Sequence, residues 1–422
     1  MFKLTKLKNG LRIVTVPLKQ TKAVTVLILV RAGSRNEAEK NYGLAHFIEH
    51  MFFKGGKKYP NTLAVAEAID GAGGVFNAFT GKESVGYWVK IASKELPLAL
   101  DVLSDMLISA KFDQEEIKRE KGVILEEINF YEDNPILSIS FLFEQIIFGN
   151  TDLGHSALGK KENILKFKQK DFFDYLGRFY WPNNTVICLA GNINHKKTID
   201  QINKYFVFPK RKSKLYFSTF QKKQTHPQIA LKNKKTDQAH LALGFPALPA
   251  NHKDISTLEV LNAVLGASMS SRLFISVRER HGLAYVVRSS IEKYTDTGYL
   301  EVYIGTSAGQ AEKAIDLTLK EIKKLKDKPV SAKEIKKGKE FIKGRNILEA
   351  EDSEFIADYF SEQALLIPNK IKTLEQFFAE IDKVTPAGVQ TLAKKLFTNQ
   401  KINLAVIGPF KDKKKFEKIL EI

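Results

Sequence analysis

The chain has 422 residues, 44% of them hydrophobic, with 26 Gly and 13 Pro. That is too long for one ordinary core and too apolar for a disordered protein, so two or more globular domains are expected. The net charge of +18 favours anionic partners at long range without naming one, and the single cysteine, Cys188, excludes an intrachain disulfide and a thiolate metal cluster and fits a reducing compartment.

In chain order, "MFKLTKLKNGLRIVTV" lacks the apolar stretch and cleavage site of a secretory signal. It alternates as a strand, with a turn at Asn9-Gly10. Val24–Val30 is far shorter than the roughly 20 residues that span a bilayer and reads as a central strand of a soluble protein. Next comes "GLAHFIEHMFF", residues 43–53, which puts His46, Glu49 and His50 on one helix face. A lone histidine on an apolar face is ordinarily a satisfied core residue. An H-x-x-E-H arises by chance in a chain of this composition roughly once in a hundred. The "GAGG" that follows, residues 71–74, lacks the Lys-Ser/Thr and the strand-to-helix context of a phosphate loop.

The two halves of the chain rhyme. "GYWVKIASKELPLALDVLSDML" from Gly86 and "GYLEVYIGTSAGQAEKAIDLTLKEI" from Gly298 each run from Gly-Tyr through an alternating strand into an amphipathic helix, 212 residues apart. Phe112–Ile124 and Ser331–Ile342 match as charged helices after a turn. A duplicated α+β domain follows, with 1–212 and 234–422 as the homologous domains and 213–233 as the linker. In the second half "TLEVLNAVLGASMSSRLF", residues 257–274, reads as the counterpart of the His46 helix and has no histidine, so only the first half can hold a metal. Lysines around Ile322, Leu325, Ile335, Phe341 and Ile342 mark Lys320–Arg345 as solvated amphipathic helices and not as a nucleic-acid surface.

Two histidines call for a third ligand on another element, because a catalytic zinc has three protein ligands and one open position. The helix "DQEEIKREKGVILEEINFYEDNP" offers Glu120 and Glu127, two turns apart on nearly the same face. Spacing alone does not choose between Glu126 and Glu127.

H-x-x-E-H is the inverted zincin motif, and the chain resembles the M16 metallopeptidases, the insulinase and pitrilysin family. In length and layout it is similar to the short, two-domain subfamily that includes mitochondrial processing peptidase and its bacterial relatives. With 76 residues intervening after His50, the family's third-ligand position falls on Glu127, and its outer carboxylate, seven residues earlier, on Glu120. "GGVFNAFTGKESVGY" (73–87) resembles the family's substrate-pairing edge strand, with Asn77 and Ala78. "SSRLFISVRERHGLAYVVRS" (270–289) resembles the second-domain signature, with Arg278 and Tyr285 reaching the substrate. "LGHSALG" and "YWPNNTVICLAGNI" also fit, although His155 stands where relatives often have arginine.

The resemblance implies two homologous domains, each a mostly antiparallel sheet packed with helices and forming half of a clamshell chamber. It implies one Zn²⁺ per chain held by His46, His50 and Glu127, with Glu49 as the base. It also implies peptide substrates and a homodimer, or a heterodimer with a related chain; no nucleic-acid or membrane partner is expected, and residence is read as cytoplasmic. The competing implication is a scaffold or partner subunit of the same fold.

Overall fold

Alternating and β-branched stretches form the strands that the pattern predicts. In the computed structural model, which describes residues 2–208, 219–221 and 223–422, the first sheet contains β1 (Lys3–Lys6), β2 (Arg12–Pro17), β3 (Ala23–Val30), β4 (Val75–Thr80), β5 (Val85–Ala92) and β6 (Thr185–Gly191). Its order is β1-β2-β6-β3-β5-β4. Among the described residues, only β2 and β6 of this sheet run parallel. Apolar β3 lies well inside the sheet, and Cys188 is buried on β6. Gly10 takes φ 95° in the first hairpin turn, a conformation that suits glycine.

The second sheet contains β7 (Gln228–Asn233), β8 (Gln238–Pro246), β9 (Ala284–Lys293), β10 (Gly298–Ser307) and β11 (Asn403–Gly408), in the order β7-β11-β8-β10-β9. Again one pair, β7 and β11, is parallel. Without β1, the two sheets have the same strand order and the same parallel pair, so the duplication is one of topology. The mixed α+β class expected from the sequence is the class observed. Of the segment read as a linker, 213–218 and 222 lie outside the described residues, and 228–233 forms β7.

Compactness does not follow the chain. Among the described residues, one compact unit comprises 2–129, 155–208 and 349–371, and the other 130–154, 219–221, 223–348 and 372–422. Each half has therefore given one helix to the other half's sheet. The helix Pro135–Phe148 starts with Asn134 accepting the Ile136 N–H and with Pro135 in the first turn. It packs on β8 and β11 of the second sheet, with the Phe143 ring 5.3 Å from that of Tyr299. The helix Ser353–Leu366 starts at Asp352, which accepts the Glu354 N–H, and packs on β3 and β6 of the first sheet. There Arg12 Nη1 donates to the Ala364 carbonyl at 2.6 Å, and the Thr25 and Ser353 hydroxyls lie 2.8 Å apart.

Two expectations need correction in detail. Gly86-Tyr87 and Gly298-Tyr299 are not equivalent positions. Tyr87 packs on Phe52 beneath the first sheet's own helices, whereas Tyr299 packs on Phe143 of the exchanged helix. Side chains alternate faces along a strand, so the shared dipeptide is out of register. The helix expected over 257–274 instead runs from Ile255 to Leu265 and is followed by a separate π-helical turn, Phe274–Arg280. It stops at Gly266, where a Cβ would come within 2.6 Å of the Ser289 hydroxyl. The lysine-rich stretch does form two helices, Ala311–Asp327 and Ala332–Glu349, separated at Pro329. Among the described residues, no helix is long and apolar enough to cross a membrane.

Candidate active site

The helix Leu44–Phe52, here the motif helix, buries Phe47, Ile48, Met51 and Phe52 and turns its polar edge to the helix Gln114–Asp133. His46, His50 and Glu127 meet there, with one ligand atom from each lying within 4.8 Å of the others; among the described residues this is the one cluster with metal-ligand character. Glu127 Oε2 is 3.6 Å from His46 Nε2 and 3.4 Å from His50 Nε2. Glu126 is exposed. The choice that spacing left open is made by the helix face.

Glu120 stands behind His50. Its Oε1 accepts from His50 Nδ1 at 2.8 Å, and its Oε2 pairs with Lys54 Nζ at 2.6 Å. The bond to Nδ1 turns His50 Nε2 toward Glu127, which is how outer carboxylates orient metal-binding imidazoles. The donor set of two imidazole Nε2 atoms and one carboxylate therefore fits a divalent zinc-type ion with an open coordination position.

The electrostatics separate the two histidines. Burial, then the charge of His50, pushes His46 down to about 4. For His50, burial is outweighed by the bonds and charges of Glu120 and Glu127, which carry it up to about 9. Glu127 is lowered by its bond to His50, and Glu120, despite burial, by His50 and Lys54. At neutral pH the metal-free cluster thus holds a neutral His46 beside a protonated His50. Metal uptake at pH 7 should then release about one proton per ion, measured by calorimetry in buffers of different ionisation enthalpy. Release should fade as the pH rises through about 9, where His50 has already lost its proton. Replacing Glu120 by Gln should weaken zinc binding by roughly 10- to 100-fold, read by chelator competition; unchanged affinity would remove Glu120 from the site.

Glu49 accepts a short bond from the Thr80 hydroxyl at the end of β4, and burial raises its pKa against the lowering effect of that bond. β4 is the edge strand of the first sheet. Asn77 on it is exposed, Ala78 is half-buried, and the Ala78 N–H donates to Asn77 Oδ1 at 2.9 Å. Arg278 and Tyr285 belong to the second unit. There the Arg278 guanidinium lies 5.4 Å from the Tyr285 ring and 4.9 Å from that of Phe274, and Tyr285 is 76% exposed at the start of edge strand β9.

Three contributors escaped the reading of the sequence. Lys54 could have been found, since it sits four residues past His50 on the same face. Thr80 is joined to Glu49 only by tertiary packing. Glu37, which accepts backbone N–H groups of the motif helix, lies across an irregular loop and left no local signal.

Family models match both halves: "Insulinase (Peptidase family M16)" over residues 12–161 and "Peptidase M16 inactive domain" over residues 166–341. The "uncharacterized zinc protease YmxG" of Bacillus subtilis is 37% identical over 409 residues, 97% of this chain and 98% of that protein. This chain belongs to peptidase family M16. A Streptomyces coelicolor member, "uncharacterized zinc protease SCO5738", is 32% identical over 97% of this chain and 90% of its own length. In fold, this M16 chain is similar to a protease from Helicobacter pylori, with a TM-score of 0.90 at 24% identity over 96% of this chain and 99% of that one. It is similar also to a Pseudomonas fluorescens structure described as a peptidase M16 inactive domain, with a TM-score of 0.87 at 18% identity over 97% and 98% of the two chains. The M16 model named for an inactive domain covers most of the half in which no metal cluster occurs among the described residues.

Proposed function

We propose that this M16 chain is a zinc-dependent endopeptidase acting on extended peptides or unfolded protein segments. The observation that carries the reading is the convergence of His46, His50 and Glu127 on one helix edge, with Glu49 tied to the end of a free edge strand. The zinc names of its relatives point the same way.

His46 Nε2, His50 Nε2 and Glu127 Oε2 would hold the ion, which when bound supplies a Lewis acid for the scissile carbonyl and for water. Glu49 takes the proton of the attacking water and later delivers it to the leaving amine; its raised pKa suits both halves of that exchange. The peptide is held as an added strand on β4, taking over the Ala78 N–H from the Asn77 side chain. By family likeness, Arg278 and Tyr285 contribute to binding the peptide and the developing oxyanion within a chamber, and two chains associate. A scaffold role is the alternative, and the filled set of site residues speaks against it.

The test is metal content together with cleavage of a quenched peptide mixture. About one zinc per chain, with cleavage lost to a chelator and restored by zinc, supports the reading. A chain that binds no zinc, or that binds it and cleaves nothing as a purified dimer, overturns it.

A further inference from the structure

The motif helix has no side-chain cap of its own. Its N-cap is Gly43, at φ 98°, and a Cβ there would come within 2.8 Å of the Leu158 carbonyl. The first-turn amides instead meet Glu37: Oε2 accepts from the Gly43 N–H at 2.9 Å and Oε1 from the Ala45 N–H at 2.6 Å. The Glu37 side chain is 0% exposed, and His155 Nε2 lies 3.7 Å from Oε2. A carboxylate so deeply buried is costly unless its oxygens are filled. Here two amides, the positive end of a helix and an imidazole surround it.

The segment carrying Glu37 is itself tied down. The N–H groups of Ser34 and Arg35 donate to the carbonyls of Gly81 and Lys82 at 3.2 and 2.9 Å, and Arg35 pairs with Glu83 in the interior. Those partners lie in the turn between β4 and β5, immediately after Thr80. Glu37 therefore joins the hairpin that holds Glu49 to the first turn of the helix that carries His46.

The two histidines differ in what holds them. His50 is oriented through its own ring, by Glu120 at Nδ1. His46 Nδ1 is buried and, among the described residues, has no hydrogen-bond partner. The position of His46 Nε2 thus depends on the backbone of the first turn, and Ala45, whose N–H Glu37 accepts, is the adjacent residue.

We propose that Glu37 is the positioning residue for His46: by accepting the Gly43 and Ala45 amides it fixes the first turn of the motif helix and so the approach of His46 Nε2 to the metal. It does through the backbone what Glu120 does for His50 through the ring. This rests on the metallopeptidase reading.

The experiment compares wild type with Glu37→Gln and Glu37→Asp, using cobalt(II) absorption, zinc competition and thermal melting beside kinetics. Gln keeps the shape but turns an NH₂ group toward one of the amides. The expected result is a zinc affinity at least tenfold weaker, a shifted cobalt spectrum, and a kcat at least tenfold lower with KM within twofold. Asp, which keeps the carboxyl group and its two acceptor oxygens, should recover part of each. A Gln variant that melts lower yet binds zinc and shows the cobalt spectrum of wild type overturns the proposal and leaves Glu37 a structural cap. If Glu37→Gln does not fold, hydrogen exchange on wild type reads the same link: the Gly43–His46 amides should gain protection when zinc is added, and no gain overturns it. Wild type that takes up no cobalt overturns the metal reading, and this proposal with it.

Discussion

Glu49→Gln should retain zinc at the wild-type level while kcat/KM on a quenched peptide falls by about 10²- to 10⁴-fold, the usual contribution of a general acid–base residue. The variant is a close test, because Gln has the shape of Glu and its carbonyl can still accept from the Thr80 hydroxyl. Local packing is thereby preserved, and only the capacity to take and return a proton is removed. Glu49 is not one of the three residues whose ligand atoms converge, so metal content is not expected to change. Loss of zinc in the variant would make Glu49 a ligand instead, and retained cleavage would remove it from the chemistry.

The second large effect concerns the exchanged helices. A fragment ending near residue 208 should fail to fold, because the helix Ser353–Leu366 that covers β3 and β6 lies outside it. That helix buries Ile356, Phe360 and Leu365 to within 6% exposure, together with Ala357 and Ala364. Three large apolar side chains at roughly 1.5–3 kcal/mol each contribute about 5–9 kcal/mol, comparable with the whole stability of a typical domain, roughly 5–15 kcal/mol. The bonds from Arg12 and Thr25 are lost as well. Circular dichroism and gel filtration of the fragment would show an aggregated or unfolded chain. Co-expression of 219–422, which carries the missing helix, should restore a soluble complex. A fragment that melts cooperatively alone would show that the helix is dispensable.

The site was more legible than the fold around it. His46, Glu49 and His50 lie within five residues, so helical periodicity alone predicts their convergence. Glu127 needed the resemblance, since helical spacing does not separate it from Glu126 until the face of the helix is known. The exchange of helices left no trace in the sequence. The apolar residues of Pro135–Phe148 and Ser353–Leu366 announce that each must cover something apolar, but not which of two like sheets it will cover. The Gly-Tyr match misled in register for a related reason: identity over two residues does not report strand parity. Glu37 was invisible because caps are sought next to the helix they close, and this one comes from across a loop.

The exchange also orders events in time. β6, the last strand of the first sheet, is complete at Gly191, but its covering helix ends at Leu366, about 175 residues later. At a synthesis rate of roughly 5–20 residues per second, the apolar face of β3 and β6 waits about 9–35 s for its partner on the ribosome. Helix Pro135–Phe148 is made before any strand of its own sheet and must wait likewise. Neither half can finish folding before nearly all of the chain has been translated. Its yield in the cell should therefore depend on factors that shield nascent apolar surface more than its length alone suggests.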